Sequence, residues 1–201
     1  RRGNTYYLLA PMVIGFFEYT FMRVREEVNM KELSELFEVY FRQDEVREEL
    51  FGGDTKMFKA LVYESLIPEL VETEVLSYER ASEIIRQSGG GAISLCSCRH
   101  KAQHLGKACD APLEVCTSLG TVASWLVRRG LGKPASVDDL LRVLDQTEKH
   151  GLVHLGDNVL NNHAYICHCC GCCCEVLTPI KDTGRLTLHP SNFIAVLDRD
   201  S

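Results

Sequence analysis

No run of about 18 apolar residues occurs, so nothing in the chain reads as a membrane-spanning helix. The longest apolar stretch near the start, Leu8 to Phe17, is broken by Pro11 and Gly15. It lacks the charged lead and small-residue cleavage pattern of a signal peptide. There is no basic stripe. Lys and Arg number 22 against 28 Asp and Glu, a net charge of −6, so a nucleic-acid surface is not expected on this chain. Walker A and GxGxxG sequences are missing, and Gly89-Gly90-Gly91 precedes a strand rather than opening a helix, which makes it a poor phosphate cradle. No serine nucleophile elbow and no HExxH are present. Tryptophan occurs once, at Trp125, beside Val122, Leu126 and Val127 on a helical stripe, where it reads as core. No internal repeat is visible.

What the chain has in excess is sulfur. Six of its ten cysteines fall in the string CHCCGCCC: Cys167, Cys169, Cys170, Cys172, Cys173 and Cys174. The other four, Cys96, Cys98, Cys109 and Cys116, form a second clump upstream. The density is about half that of a disulfide scaffold. Neighbours such as Cys169 and Cys170 sit too close for the Cα separation a disulfide needs. Crowded thiolates on one short loop suit a soft metal centre instead. Metal-binding thiols and the missing signal sequence point to a reducing, cytoplasmic compartment. The remaining composition, 45% hydrophobic and 25% charged over 201 residues, is that of a globular chain large enough for a real core.

Periodicity and punctuation predict a mixed α/β (α+β) fold. It has a helical N-terminal third and a short sheet that carries the two cysteine-rich loops at one rim. Two segments are expected: residues 1–76, helical with a leading strand over 5–10, and residues 77–201, the cysteine-rich α/β domain. Asn29 with Glu32 three residues on marks a helix start. The stripe Leu33, Leu36, Phe37, Tyr40, Phe41 extends that helix toward Leu50, and Gly52-Gly53 ends it. A second helix is expected over Thr55 to Glu64, an extended segment over 69–76, and a Ser77-capped helix to Ser88. Ala92 to Cys96 reads as a strand. Pro112 is expected to open a helix running through Cys116 to Arg129. Ser136 with Asp139 forms a capping box for a helix to His150, with Leu140, Leu141, Val143 and Leu144 facing the core. Residues 163–167 read as a strand, and Val176–Ile180 with Arg185–Leu188 as a hairpin around Lys181 to Gly184. The polar run Asp157, Asn158, Asn161, Asn162, His163 reads as a surface loop that is able to line a pocket.

The upstream group, Cys96, Cys98, Cys109 and Cys116, supplies the four thiolates of a [4Fe–4S] cluster. The same count suits structural zinc. The C-x-C opening followed by two single cysteines departs from the paired C-x2-C knuckles common in zinc sites. The downstream six offer four ligands in several ways, leaving at least two thiols over. Arg99 and Lys107 are candidates for offsetting the charge of a thiolate-bound centre, and Gly171 for letting the backbone approach it. His168, between two cysteines, should point away from whatever they bind. His100 and His104, at i and i+4, read as a solvated pair.

Four segments taken together, AISLCSCR, GKACDAPLEVC, EKHGLVH and ICHCCGCCC, resemble the ferredoxin-type 4Fe–4S binding proteins of anaerobic bacteria and archaea. Those proteins tend to read C-x-C-R, then G-x-x-C-x-x-P-x-x-x-C, then G-L-V-H, then a cysteine-rich loop. The resemblance spans roughly Tyr6 to Val196 and is strongest from Leu95 to Leu177. It implies an electron-transfer module with one or two [4Fe–4S] clusters, working with a redox partner protein or an attached ferredoxin domain. It also implies a piece of a longer protein, flanked by winged-helix and two-cluster ferredoxin segments. Cluster ligation carries over to Cys96, Cys98, Cys109 and Cys116, and to four of the downstream six. The readings that compete with it are a zinc-stabilised interaction domain and a catalytic iron–sulfur subunit.

Overall fold

The computed structural model describes residues 15–67 and 80–191. The strand expected over 5–10, the extended segment over 69–76 and the Ser77 cap lie outside these residues. The rest folds as a mixed α/β protein around one seven-stranded sheet. The strands are β1 (Phe58–Ala60), β2 (Gly91–Leu95), β3 (Glu114–Leu119), β4 (Lys133–Ala135), β5 (Val153–Asp157), β6 (Tyr165–Cys169) and β7 (Leu188–His189), in the order β4-β2-β3-β6-β5-β1-β7. The helices among the described residues are α1 (Phe17–Phe21), α2 (Met30–Phe41), α3 (Asp44–Phe51), α4 (Ala81–Ser88), α5 (Ser97–His104), α6 (Gly120–Arg128), α7 (Val137–Lys149) and α8 (Thr178–Thr183). None is long and apolar enough to cross a membrane.

Strand direction determines where the sulfur goes. β2 and β6 each pair antiparallel with β3, so they run parallel to one another. Their C-terminal ends and the start of β3 therefore share one rim. Cys96 follows β2, Cys116 lies early in β3, and Cys167 and Cys169 end β6. Side chains alternate across a strand. Cys167 and Cys169 accordingly share a face with Tyr165, while Ile166 and His168 take the other.

Each face has its own core. The thiol face packs on aromatic side chains: Phe17, Phe21, Phe37 and Phe41 of the N-terminal helices and Phe58 of β1 gather with Tyr165, Cys169 and Cys174. Phe17 meets Phe41 nearly edge-on, with ring centroids 4.9 Å apart, a geometry worth roughly 0.5–1.5 kcal/mol beyond burial. The opposite face packs Ile84 and Ile85 of α4 and Leu140 of α7 against Leu119 and Ile166.

Several expected elements take another form. The helix foreseen from Asn29 to Leu50 is two, α2 and α3, separated at Arg42-Gln43. On α2 the buried stripe is Met30, Ser34, Phe37 and Phe41, and Leu36 is 61% exposed. The helix expected over Thr55–Glu64 is instead β1 followed by a short 3-10 turn, because residues 58–60 pair with β5 on one side and β7 on the other. Pro112 opens no helix: residues 114–119 form β3, and α6 begins only at Gly120. The expected hairpin at 176–188 is α8, with Pro179 in its first turn and Gly184 closing it in the left-handed region at φ 71°. That pattern of proline at the start and glycine past the end is favoured at helix termini. The Ser136–Asp139 capping box forms as expected.

Candidate metal centre

The sheet sorts the ten thiols into two groups that cut across the two sequence clumps. Cys109, from the loop between α5 and β3, meets Cys170, Cys172 and Cys173, from the turn after β6. All four sulfurs lie within 4.8 Å of one another. For metal–sulfur bonds of about 2.3 Å, a tetrahedral ion sets its sulfurs about 3.8 Å apart. This rim group can hold a metal ion as it stands. Cys172 is exposed, Cys109 half-buried, and Cys170 and Cys173 buried.

The other six thiols, Cys96, Cys98, Cys116, Cys167, Cys169 and Cys174, line one cavity of about 70 Å³. Its remaining wall is largely apolar and includes Met22, Phe58, Leu126 and Val176. Cys170 touches this cavity as well as belonging to the rim group. Cys109, expected with Cys96, Cys98 and Cys116, is thus placed with three cysteines of the downstream clump. Cys167, Cys169 and Cys174 are placed with the upstream three.

The electrostatics of the two groups differ. In the cavity, burial pushes the Cys96 thiol up to about 12, and burial likewise raises Cys116. Cys98 and Cys169 are raised because each gives its proton to another sulfur, and burial adds to this. Cys174 is the acceptor. Hydrogen bonds from Cys169 and Cys98, then from the Leu177 and Val176 N–H groups, hold it well below the usual thiol range. At the rim, burial works to raise Cys109, but hydrogen bonds from the Ala111 N–H, Cys172, Cys170 and Arg99 bring it down to about 7.

A folded-state value below the ordinary thiol value of about 9 makes the Cys109 thiolate a stabilising species. Its contribution is complete above pH 9 and is lost as the pH falls through 7. In folded protein stripped of metal, iodoacetamide is therefore expected to label Cys109 with a half-maximal rate near pH 7. Cys96 should stay unlabelled across the neutral range. Peptide mapping by mass spectrometry checks this, and equal labelling of the two would contradict it.

Arg99 joins the groups. It is fully buried, with 0% exposure. Its guanidinium donates from Nη1 to the Pro112 carbonyl and from Nη2 to the His168 carbonyl at 3.2 Å, while Nε has no partner. A buried cation needs an anion. Burial opposes its charge, and the sulfurs of Cys96, Cys170 and Cys109 outweigh that and raise its pKa. The donor set, two converging thiol groups and a buried counter-cation, fits a thiolate-ligated metal.

The other sequence candidates take different places. Lys107 Nζ pairs with Glu38 Oε1 at 2.6 Å rather than reaching a sulfur. Glu38 also binds Lys101, itself 1% exposed and shared with Glu175, the residue after Cys174. Burial works against charge on Glu38, but these lysines hold its carboxyl down at about 2. Gly171 is exposed, has no positive φ, and faces open space where a Cβ would go, so no close approach requires glycine there.

His168 points away from the thiols, into the opposite core. Thr147 Oγ1, beside the Val143 and Leu144 carbonyls of its own helix, lies 2.9 Å from His168 Nδ1 and 3.3 Å from His154 Nε2, and Thr117 Oγ1 lies 3.3 Å from His168 Nε2. Burial, with His154 and Arg99 nearby, keeps the imidazole neutral. His100 and His104 contact each other, with Nε2 atoms 3.2 Å apart, but His100 is buried and its Nδ1 bonds the Phe21 carbonyl.

No protein-family model matches the chain, and neither the curated proteins nor the solved structures contain a significant match to it.

Proposed function

We propose that this chain is an iron–sulfur electron-transfer module of the ferredoxin-type 4Fe–4S binding family. In this reading the buried cavity houses a [4Fe–4S] cluster held by four of its six thiols, and the rim group holds a second metal centre. The observation that carries the reading is the gathering of Cys96, Cys98, Cys116, Cys167, Cys169 and Cys174 around one largely apolar cavity. Six thiols are more than one ion can use. A cluster spreads its ligands around several irons and suits a dry, sulfur-lined space. A bound cluster supplies one-electron transfer at a potential set by burial, charge and hydrogen bonds to sulfur. The chain's own residues would supply those settings: Arg99 between the groups, the Val176 and Leu177 N–H groups on Cys174, and the aromatic layer that keeps water out. The exposed Cys172 marks the rim as the side a redox partner or a ferredoxin domain would approach.

A second reading applies to the rim alone. Four sulfurs within 4.8 Å suit a single tetrahedral ion, including structural zinc, better than the wider set of a cubane.

Anaerobic purification separates the readings. A brown protein that bleaches with dithionite and carries acid-labile sulfide is expected, with or without one further ion per chain. Colourless protein containing zinc and no sulfide would overturn the iron–sulfur assignment.

A further inference from the structure

Access to the four rim sulfurs is uneven. Cys172 is exposed, Cys109 is half-buried, and Cys170 and Cys173 are buried. A reagent arriving from solvent meets Cys172 first. A bound ion keeps its ligands as thiolates, and the thiolate is the species that attacks a disulfide. The exposed ligand of such a centre is therefore a nucleophile with an open approach. Three further thiols stand within 4.8 Å of it.

Geometry selects which of the three can follow. The Cys173 sulfur lies 3.5 Å from that of Cys172. Adjacent Cα atoms, however, are about 3.8 Å apart, short of the ~4.4 Å that a relaxed disulfide needs. Cys170 is buried, sits on the same turn and also lines the thiol cavity. Cys109 is the more accessible and comes from a separate segment, the loop between α5 and β3. The Ala111 N–H donates to its sulfur. An approach of at most about 3 Å brings the Cys109 and Cys172 sulfurs to bonding distance. Neither residue lies in a helix or strand that would resist the movement.

We propose that the rim is a thiol–disulfide exchange site for small organic disulfides, with Cys172 as the attacking thiol and Cys109 as the resolving one. Cys172 Sγ attacks one sulfur of the reagent. The new S–S bond forms as the old one breaks, and a small thiolate leaves. Cys109 Sγ then attacks Cys172 Sγ in the mixed disulfide, closing the Cys109–Cys172 bond and releasing the second small thiolate. The rim gives up two electrons and the reagent takes both, with no other reactant. Cys170 and Cys173 alone are half of a four-thiolate site, so oxidation also frees the rim ion, its charge unchanged. The release of metal rests on the rim-ion reading above; the exchange itself does not.

The test is anaerobic titration of the metal-loaded protein with the aromatic disulfide dithiodipyridine, whose thiopyridone product is counted by absorbance. Two thiopyridones per chain are expected, with loss of the rim ion to an added chelator. Non-reducing peptide mapping should show Cys109 joined to Cys172 and the cavity thiols unmodified. Cys172→Ser should slow thiopyridone release at least about tenfold, because the open approach is gone. Cys109→Ser should stop after one thiopyridone and keep the mixed disulfide on Cys172, a mass signature that a merely structural role does not produce. If either variant fails to fold, the wild-type map still decides. Protein that carries no rim ion beforehand yet gives the same map would support the exchange and sink the rim-metal reading alone. No thiopyridone release, a link from Cys172 to Cys170 or Cys173, or prior modification of the cavity thiols would overturn the proposal.

Discussion

Serine at Cys173 is expected to remove the rim metal, and serine at its immediate neighbour Cys174 to remove the proposed cavity cluster, with Cys174 and Cys98 taken as two of its four ligands. The Cys173 sulfur belongs with Cys109, Cys170 and Cys172. The Cys174 sulfur bonds Cys169 and Cys98 across the cavity. Cys109→Ser should therefore match Cys173→Ser in its metal and sulfide content, though the two positions lie in different sequence clumps. Cys98→Ser should match Cys174→Ser. The effect on stability is large, because tetrathiolate sites return apparent binding free energy on the order of 10 kcal/mol to folding. That is as much as a whole domain commonly has. Cys172→Ser, at the exposed ligand, is the milder probe for any variant that fails to fold. Iron, zinc and sulfide counts per chain decide the matter. The same loss from Cys173→Ser and Cys174→Ser would dissolve the division into two groups.

Arg99→Met is the second change of large effect. Methionine fills much of the same space but donates nothing, so the Pro112 and His168 carbonyls lose their partners. It also strips the cation from between two thiol groups. Removing one member of a buried charged assembly typically costs about 3–5 kcal/mol, and that loss is expected in the denaturant midpoint of metal-loaded protein. Loss of a positive charge beside the proposed cluster should also lower its potential. Arg99→Lys keeps the charge but cannot reach both carbonyls, so it should restore potential more than stability. A midpoint within about 0.5 kcal/mol of wild type, the range of an ordinary surface change, would show that Arg99 is not the counter-ion.

Much of the frame was legible in local chemistry. The Ser136–Asp139 box, the Gly89 stop after α4 and the apolar AISL strand are short-range signals, and each formed where it was read. The misreadings have physical causes. Residues 58–60 carry no strand pattern of their own and become β1 because β5 and β7 lie on either side. Pro112 looked like a helix opener, yet Val115, Thr117 and Leu119 are β-formers whose pairing with β2 and β6 prevails. Leu36 fitted a helical stripe but faces solvent, while Ser34 is buried because its hydroxyl bonds the Met30 carbonyl. The sulfur count was plain in the sequence and the partition of the thiols was not. Partition depends on an antiparallel β3 between two parallel strands, which returns residues 109–116 to the rim where the other cysteines emerge.

β6 sets a strict rule for length changes. Its register places Cys167 opposite Leu155 and Cys169 opposite Val153. A strand repeats its faces every second residue, so a slip of one position inverts the whole set. One residue lost within β6 would turn both thiols toward Thr147 and bring His168 and Ile166 to the sulfur cavity. Within the strand, a change of two residues keeps the faces, whereas a change of one needs a bulge to absorb it, as at Ser94–Leu95 of β2.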